Sequence, residues 1–501
     1  MFKNIRMKDL QKNFYLLFSL VGGFIVRLIA TSGHNLMFGY DEVTDLILTK
    51  RIALNQDLIA IGKAIYGNPD LRHGVLSYYL MAPAVIISQD PTFIAIWNGL
   101  FSLATAVILY FIAKSLFKNT NTGIVAAALF AFSYPVIGFS NWVSHPTFAP
   151  LFVSLFYLGL IKISEGSKWG YILTAISLGF AIQSDLLFIY LIPILFIFLL
   201  LFRPKFPGLK ILLISALSFL TVMSSFIYSE INFNFSTTRT VLNFSGSLDA
   251  SKVPIAERAV AFLNNYFAVF AANLIPQAPN LGILLAVLIV LVIIYYRKYF
   301  LIFFLFSPAI MLIVGFHAKP WSLLGALPAI SLAIAFVISK IRLKPLMIIA
   351  VVLIVFLNTK ATLTAKAESK FFISIPKSSV FSSHLAVIDY TYESSGGRPF
   401  SIDAVNYPLY VNSYWSYHYP WYGAKKYGYM PTWSGSDQLY PYSTLSKSTG
   451  DEEYVYLMID NTPDIPSWAK EDGKKYWDER SGVMEEKEIE GFIVQKRKIY
   501  R

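Results

Sequence analysis

The chain has 501 residues, of which 55% are hydrophobic and only 14% charged, with a formal net charge of +12 and a mean hydropathy of +0.55. A soluble domain carries about 25% charged residues, so the composition excludes a chain that is soluble throughout and places it in the membrane class. The absence of cysteine removes disulfide frameworks and thiolate metal sites and leaves the redox compartment open.

Lys3, Arg6, Lys8 and Lys12 precede the first apolar run, near 14–32. No A-x-A-like cleavage site follows it and many apolar runs do, so it reads as a retained span and not a signal peptide. Ten further spans are expected near 93–113, 123–140, 146–161, 169–184, 186–202, 211–229, 281–296, 299–316, 320–339 and 345–359. Alternate gaps hold Lys114 and Lys118; Lys162 and Lys168; Arg203, Lys205 and Lys210; Arg297 and Lys298; Lys340, Arg342 and Lys344. The basic gaps belong on the inside, which makes the N-terminus cytoplasmic. Of the twelve Asp and Glu in residues 1–360, only Asp9 and Glu165 fall on that side. The stretch 259–276 then reads as a helix on the outer surface, since a twelfth span would invert everything after it. The positive charge reflects topology and lipid headgroups, with no nucleic-acid footprint.

Two outer gaps are long. The first, 33–92, contains Asp41-Glu42, an amphipathic stretch from Val43 to Ile61, the turn Tyr66-Gly67-Asn68-Pro69-Asp70 and an apolar segment from Val75 to Ser88. Two helices lying along the outer surface are expected there. The second, 230–280, carries Arg239, Lys252, Glu257 and Arg258. Residues 361–501 are nearly neutral and rich in charge, and read as a soluble extracytoplasmic domain. Val380 to Asp389, Glu453 to Ile459 and the start of Gly491 to Ile499 have β character, while 406–442 holds ten Tyr and three Trp. Those rings suit sugar stacking and equally suit ordinary packing. No fixed-period repeat, P-loop or dinucleotide glycine fingerprint is present.

Asp41 and Glu42 stand just past the first span, where paired acids are costly without partners or work to do. They fit either catalysis or the N-terminus of an interfacial helix, where acids favour the dipole. Nearby bases on the outer face are Arg72 with His73, Arg239, and His317 with Lys319; the alternative roles are headgroup anchoring for Arg72 and His73, a solvated loop charge for Arg239, and anchoring of a short turn for His317 and Lys319. Asp185, between two spans, could line a cavity or cap a turn, and Arg27 is expected to snorkel outward. This inventory suits a reaction with a lipid-anchored anionic leaving group, in which a carboxylate deprotonates an acceptor hydroxyl and cations hold the departing phosphate. Glu42 with His73 or His317 could hold a divalent metal ion, although no spacing demands one.

The chain resembles the GT-C class of membrane glycosyltransferases, specifically the protein O-mannosyltransferase and aminoarabinose-transferase superfamily. Tyr40-Asp41-Glu42-Val43 is similar to the Asp-Glu motif of that family's first outer loop. His73-Gly74-Val75-Leu76-Ser77-Tyr78-Tyr79-Leu80 is similar to its following H/K-G/P-P-L-x-Y-Y-L segment, with Val75 in place of the usual proline. Asn141 to Pro146 and His317 to Ile330 resemble two further outer turns. The resemblance implies a polytopic α-helical membrane protein of about eleven transmembrane helices. Residues 1–360 would form the GT-C-like catalytic domain and 361–501 a small C-terminal α/β domain. It further implies an inverting transfer of a sugar from a polyprenyl-phosphate donor to a hydroxyl of a protein, glycan or lipid. Asp41 would be the base, Glu42 its support or a metal ligand, and Arg72, His73, Tyr78, Asp185, Arg239, His317 and Lys319 the substrate-binding groups. Two other classes fit the composition: a multi-pass lipid or solute transporter or flippase, and a non-enzymatic component of envelope-glycan assembly. Nearly bare span interiors and the absence of repeated halves argue against the transporter.

Overall fold

The computed structural model describes residues 7–65, 68–242, 254–314, 320–368, 371–373, 375–438 and 441–500. Each of the eleven apolar segments is helical there, and the chain is a polytopic α-helical membrane protein. Five helices are long and apolar enough to cross a bilayer, or up to eight if each of three bent pairs is one span. The remaining segments are short. Helix α1 (Met7–Thr31) leads into α2 (Tyr40–Asn55), a hairpin of β1 (Ala64–Ile65) and β2 (Asn68–Arg72), and the apolar α3 (Leu76–Ile87). Then come α4 (Pro91–Phe117), the bent pair α5 (Thr120–Phe132) and α6 (Tyr134–Ser140), α7 (Ala149–Ser164) and α8 (Lys168–Ser184). Asp90 caps α4 and Ser133 caps α6, each accepting a main-chain N–H two or three residues on, so polar residues mark the helix starts.

The segment between α1 and α4 departs from expectation. The helix ends at Asn55 with Gln56 left-handed, and the chain then turns through the hairpin instead of continuing helically to Ile61. Gly62 permits that turn, since a Cβ there would fall 1.9 Å from the His73 carbonyl oxygen. Helix α2 is no surface ribbon either, because Glu42 through Thr49 are all buried. Helices Ile255–Leu274 and Pro279–Tyr295 meet at 98°, which separates the segment read as surface-lying from the apolar run after it.

Arg27 is another correction. Instead of snorkelling it is fully buried, donating from Nη1 to the carbonyls of Gly23 and Ala131, from Nη2 to Ser102 and from Nε to Ser140. Four acceptors from α1, α4, α5 and α6 satisfy its donors, and a buried charge is tolerated only on such terms. At one end of the bundle the basic groups converge. Lys118 and Lys162 pair with Glu165 at 3.6 and 2.7 Å, while Lys298 and Lys340 both lie over Phe336, which packs on Phe117.

The C-terminal portion is a small α/β domain. Its sheet has the order β4-β3-β5-β7-β6, with β3 (Phe400–Val405), β4 (Thr432–Trp433), β5 (Tyr454–Asp460), β6 (Ser481–Ile489) and β7 (Phe492–Ile499). Strand β3 is parallel to β4 and β5, and β7 is antiparallel to β5 and β6. Every residue of β5 is buried, as a strand covered on both faces requires. Val455, Leu457 and Ile459 pack on Trp477, while Tyr456 and Met458 face the aromatic core. The stretch 380–389, expected to have β character, lies almost wholly in the helix Phe381–Ser395, in which Phe381, Leu385, Ile388 and Tyr392 recur at helical spacing and are buried. Of the Tyr/Trp cluster, Tyr414, Trp415, Tyr417, Tyr419 and Trp433 are buried in the core, and Trp421, Tyr422, Tyr427, Tyr429 and Tyr442 pack partly buried against it.

This domain is fastened to the segment between α1 and α4. The Phe38 N–H donates to Ser379 O at 2.8 Å, the Phe381 N–H returns to Leu36 O at 3.0 Å, and Tyr417 donates to the Gln89 carbonyl at 2.8 Å. Phe38 sits among the rings of Phe381, His418 and Tyr417.

Candidate active site

Asp41, Glu42 and Asp45 all stand in the first two turns of α2, which gives the three carboxylates different surroundings within a few ångströms. Asp41 is half exposed, with 51% of its side chain accessible, whereas Asp45 is fully buried. Between them lies Lys63, carried in by the loop before the hairpin and only 5% exposed. Its Nζ is 3.0 Å from Asp41 Oδ1 and 2.9 Å from Asp45 Oδ1, and donates to the Asp41 carbonyl at 2.9 Å and to Thr44 Oγ1 at 3.2 Å. Burial alone would lower the Lys63 ammonium, but Asp41 and Asp45 outweigh it and hold the lysine charged. Burial alone would likewise raise Asp45, yet Lys63 and His145 keep its carboxyl well below the usual range.

Glu42 points away from this pair. Its Oε1 accepts from the Trp142 indole and its Oε2 from the Gly39 N–H, the reach-back half of a capping box. Burial, with Asp41 next door, lifts its carboxyl to about 7, and the two hydrogen bonds oppose the rise only in part. In the window between its ordinary 4.5 and about 7 the folded state therefore holds a proton that the unfolded chain has released. Stability should fall as pH rises through that window, by up to about 3 kcal/mol. Subtracting the unfolding free energy of Glu42→Gln from that of the wild type cancels the other titrations. The difference should decline from about pH 4.5 to about pH 7; a flat difference would contradict the assignment.

The second histidine of the cluster comes from a turn. His145 opens a short 3-10 helix before α7, and its Nδ1 lies 3.0 Å from Asp45 Oδ2, which also receives its backbone N–H at 3.2 Å. His73 follows β2, with its N–H bonded to Lys63 O at 3.0 Å, and its ring centroid is 3.9 Å from that of His145. Gly74 allows this approach, because a Cβ there would meet Gln183 O at 2.1 Å. Asp185, two residues past Gln183, is brought beside both rings. Its Oδ1 caps the following turn by accepting from Leu187 N at 2.9 Å. Tyr78 is fully buried on α3 within electrostatic reach of Lys63 and Asp45.

Of the residues singled out in the sequence, Asp41, His73, Tyr78 and Asp185 stand around Lys63, Asp45 and His145, Glu42 adjoins them with its carboxyl turned to Trp142 and Gly39, and other candidates do not join them. Arg72 stacks its guanidinium 3.7 Å from the Phe233 ring centroid and reaches the Gly62 carbonyl at 3.4 Å. Arg239 is exposed and bonds the Asn234 carbonyl of its own turn. His317 and Lys319, and with them the pairing of Glu42 with His317 on a metal, lie outside the described residues. Lys63, Asp45 and His145 escaped the sequence reading. The spacing of Asp41 and Asp45, one helical turn apart, was the available signal.

Over Asp41 and Glu42 the C-terminal domain closes a cavity of about 240 Å³, lined also by Ser379, His384, Asn406, Tyr414, Trp415 and Asp460. A separate apolar groove of about 550 Å³ runs past Val75, Leu76, Tyr79, Phe180, Gln183, Val222 and Tyr228. Asp41 and Glu42 thus line the first cavity, and the apolar groove begins at Val75, two residues past His73.

The same arrangement of helices recurs in solved structures. ArnT from Cupriavidus metallidurans in the apo state superposes with a TM-score of 0.58 at 9% identity, over 97% of this chain and 98% of that one. The fold is ArnT-like. The form of that protein bound to undecaprenyl phosphate gives 0.56 at 10% identity, over 96% and 98% of the two chains. The apo oligosaccharyltransferase of Archaeoglobus fulgidus gives 0.46 at 12% identity, over 76% of this chain and 58% of that one. The family model described as dolichyl-phosphate-mannose-protein mannosyltransferase matches residues 72–228. That match takes in His73, Tyr78, His145 and Asp185 and stops short of α2. No curated protein matches the chain. The resemblance to GT-C glycosyltransferases, read first from short motifs, thus extends to the fold.

Proposed function

We propose that this protein transfers a sugar from a polyprenyl-phosphate donor to a hydroxyl acceptor at the outer face of the cytoplasmic membrane. The observation that carries the reading is the position of Asp41. It is a carboxylate with one oxygen tied to Lys63 and half its surface open, at the floor of a polar cavity. Buried Asp45 and hydrogen-bonded Glu42 are already committed, which leaves Asp41 as the free base. The acceptor oxygen attacks the anomeric carbon as the carbon–oxygen bond to phosphate breaks. The hydroxyl proton passes to Asp41, and polyprenyl phosphate leaves with the bonding electron pair. No acid need protonate a phosphate leaving group, and a direct displacement inverts the anomeric centre.

The apolar groove beside His73 suits the polyprenyl tail, and the ArnT structure with undecaprenyl phosphate shows that a protein of this fold accommodates such a lipid. Lys63 is the nearest cation to Asp41 and would steady the developing negative charge on phosphate. The basic cluster around Glu165 supports a cytoplasmic placement of that end. The acceptor would enter through the chamber that the C-terminal domain covers, be it a peptide, a glycan or a lipid.

The test uses purified full-length protein with short-chain polyprenyl-phosphate sugars and mixed hydroxyl acceptors. Release of polyprenyl phosphate, with a product of inverted anomeric configuration, is expected. No turnover of any such donor would refute the reading in favour of a transporter or an assembly component.

A further inference from the structure

We infer that His73, His145 and Asp185 form a binding site for a borderline divalent cation, of which zinc is the type. The ligand atoms of these three side chains lie within 4.8 Å of one another. They come from three separate segments: the loop after β2, the turn before α7 and the end of α8. Two imidazoles and a carboxylate, with a fourth position left to water or another ligand, are a donor set that zinc takes readily.

Three features point to an ion and not to packing. The Nδ1 of His145 faces Asp45 Oδ2 at 3.0 Å. A proton shared there leaves Nε2 with its lone pair free, the carboxylate–histidine arrangement that orients metal-binding imidazoles. His73 Nδ1 is buried with no hydrogen-bond partner among the described residues. Asp185 is buried too, and no lysine or arginine among the described residues pairs with it. A buried carboxylate is costly without a counter-charge, and a divalent ion supplies one.

The other close histidine pair shows what packing looks like. His384 and His418 share a hydrogen bond at 3.2 Å, and the remaining nitrogen of His384 bonds the Ser378 carbonyl at 2.7 Å. His73 and His145 stand closer, with centroids 3.9 Å apart, and exchange no such bond. Gly74 holds them there by letting the His73 loop press on the end of α8. The site would clamp the hairpin loop to the two turns that support α7 and α8.

This inference does not depend on the sugar-transfer reading, and its test reads metal directly. Full-length protein in detergent micelles is stripped with chelator, exposed to excess zinc, gel-filtered and assayed for bound metal. About one zinc per chain is expected, with Asp185→Asn and His145→Gln each weakening binding at least 100-fold, more than outer-shell changes cost. Glu42→Gln should keep wild-type stoichiometry. In copper-loaded wild type, pulsed EPR should detect two coordinating imidazole nitrogens, a readout that needs no variant to fold. Retention of less than about one-tenth of an equivalent would overturn the site, as would wild-type affinity in both variants or copper without imidazole coupling.

Discussion

Asp41→Asn should abolish sugar transfer while the protein still inserts, folds and binds its lipid donor. Asparagine keeps the size of the side chain and one oxygen for Lys63 Nζ, now 3.0 Å from Asp41 Oδ1. Lys63 also keeps Asp45 at 2.9 Å and the residue-41 carbonyl at 2.9 Å, so the buried charge is not stranded. What disappears is the capacity to accept a proton and the negative charge beside the anomeric centre. General base catalysis is worth about 10² to 10⁴ in rate, and the lost electrostatic stabilisation adds to it. A fall in kcat of at least about a thousandfold is expected, at unchanged donor affinity. If Asp41→Asn turns over within tenfold of the wild type at equal folded content, Asp41 is not the base.

Lys63→Met should damage stability as well as activity, which separates it from the first substitution. Lys63 is the cation on which fully buried Asp45 depends. Removing one partner of a buried ion pair costs about 3–5 kcal/mol, because the other charge is left in a low-dielectric setting. His145 touches the opposite oxygen of Asp45 and recovers part of that loss. The double variant Lys63→Met with Asp45→Asn removes both charges and should regain about half of the lost stability or more. Denaturant titration of the four proteins measures the coupling, which should be at least about 2 kcal/mol. Additive effects would mean that the pair is not the unit the structure depicts.

The Glu42 carboxyl and the Asp41 carboxylate are neighbours in sequence with opposite fates. One turns inward to Trp142 and Gly39 and is lifted to about 7; the other turns to Lys63 and the open chamber. Glu42 thus builds the end of α2, while Asp41 lines the cavity. The C-terminal domain contributes at the same place, since Tyr414 and Trp415 roof the cavity that has Asp41 at its floor.

What the amino-acid order settled alone was whatever depends on local runs: eleven apolar helical segments, the two acids after the first of them, and the basic gaps. Hydropathy over some twenty residues is a property of contiguous chain, and so is the Asp-Glu pair. Contact across long separations had no such trace. Lys63 meets Asp41 and Asp45 because the helix expected to run to Ile61 ends at Asn55 and the chain bends at Gly62 into a hairpin. His145 reaches Asp45 across 100 positions, and Arg27 is drawn inward by acceptors on three other helices. Residues 380–389 read as having β character, whereas Phe381, Leu385 and Ile388 recur at helical spacing and are buried in a helix. Only folding could decide these, because a buried charge goes where its counter-charges converge, and that convergence exists in space before it is visible along the chain.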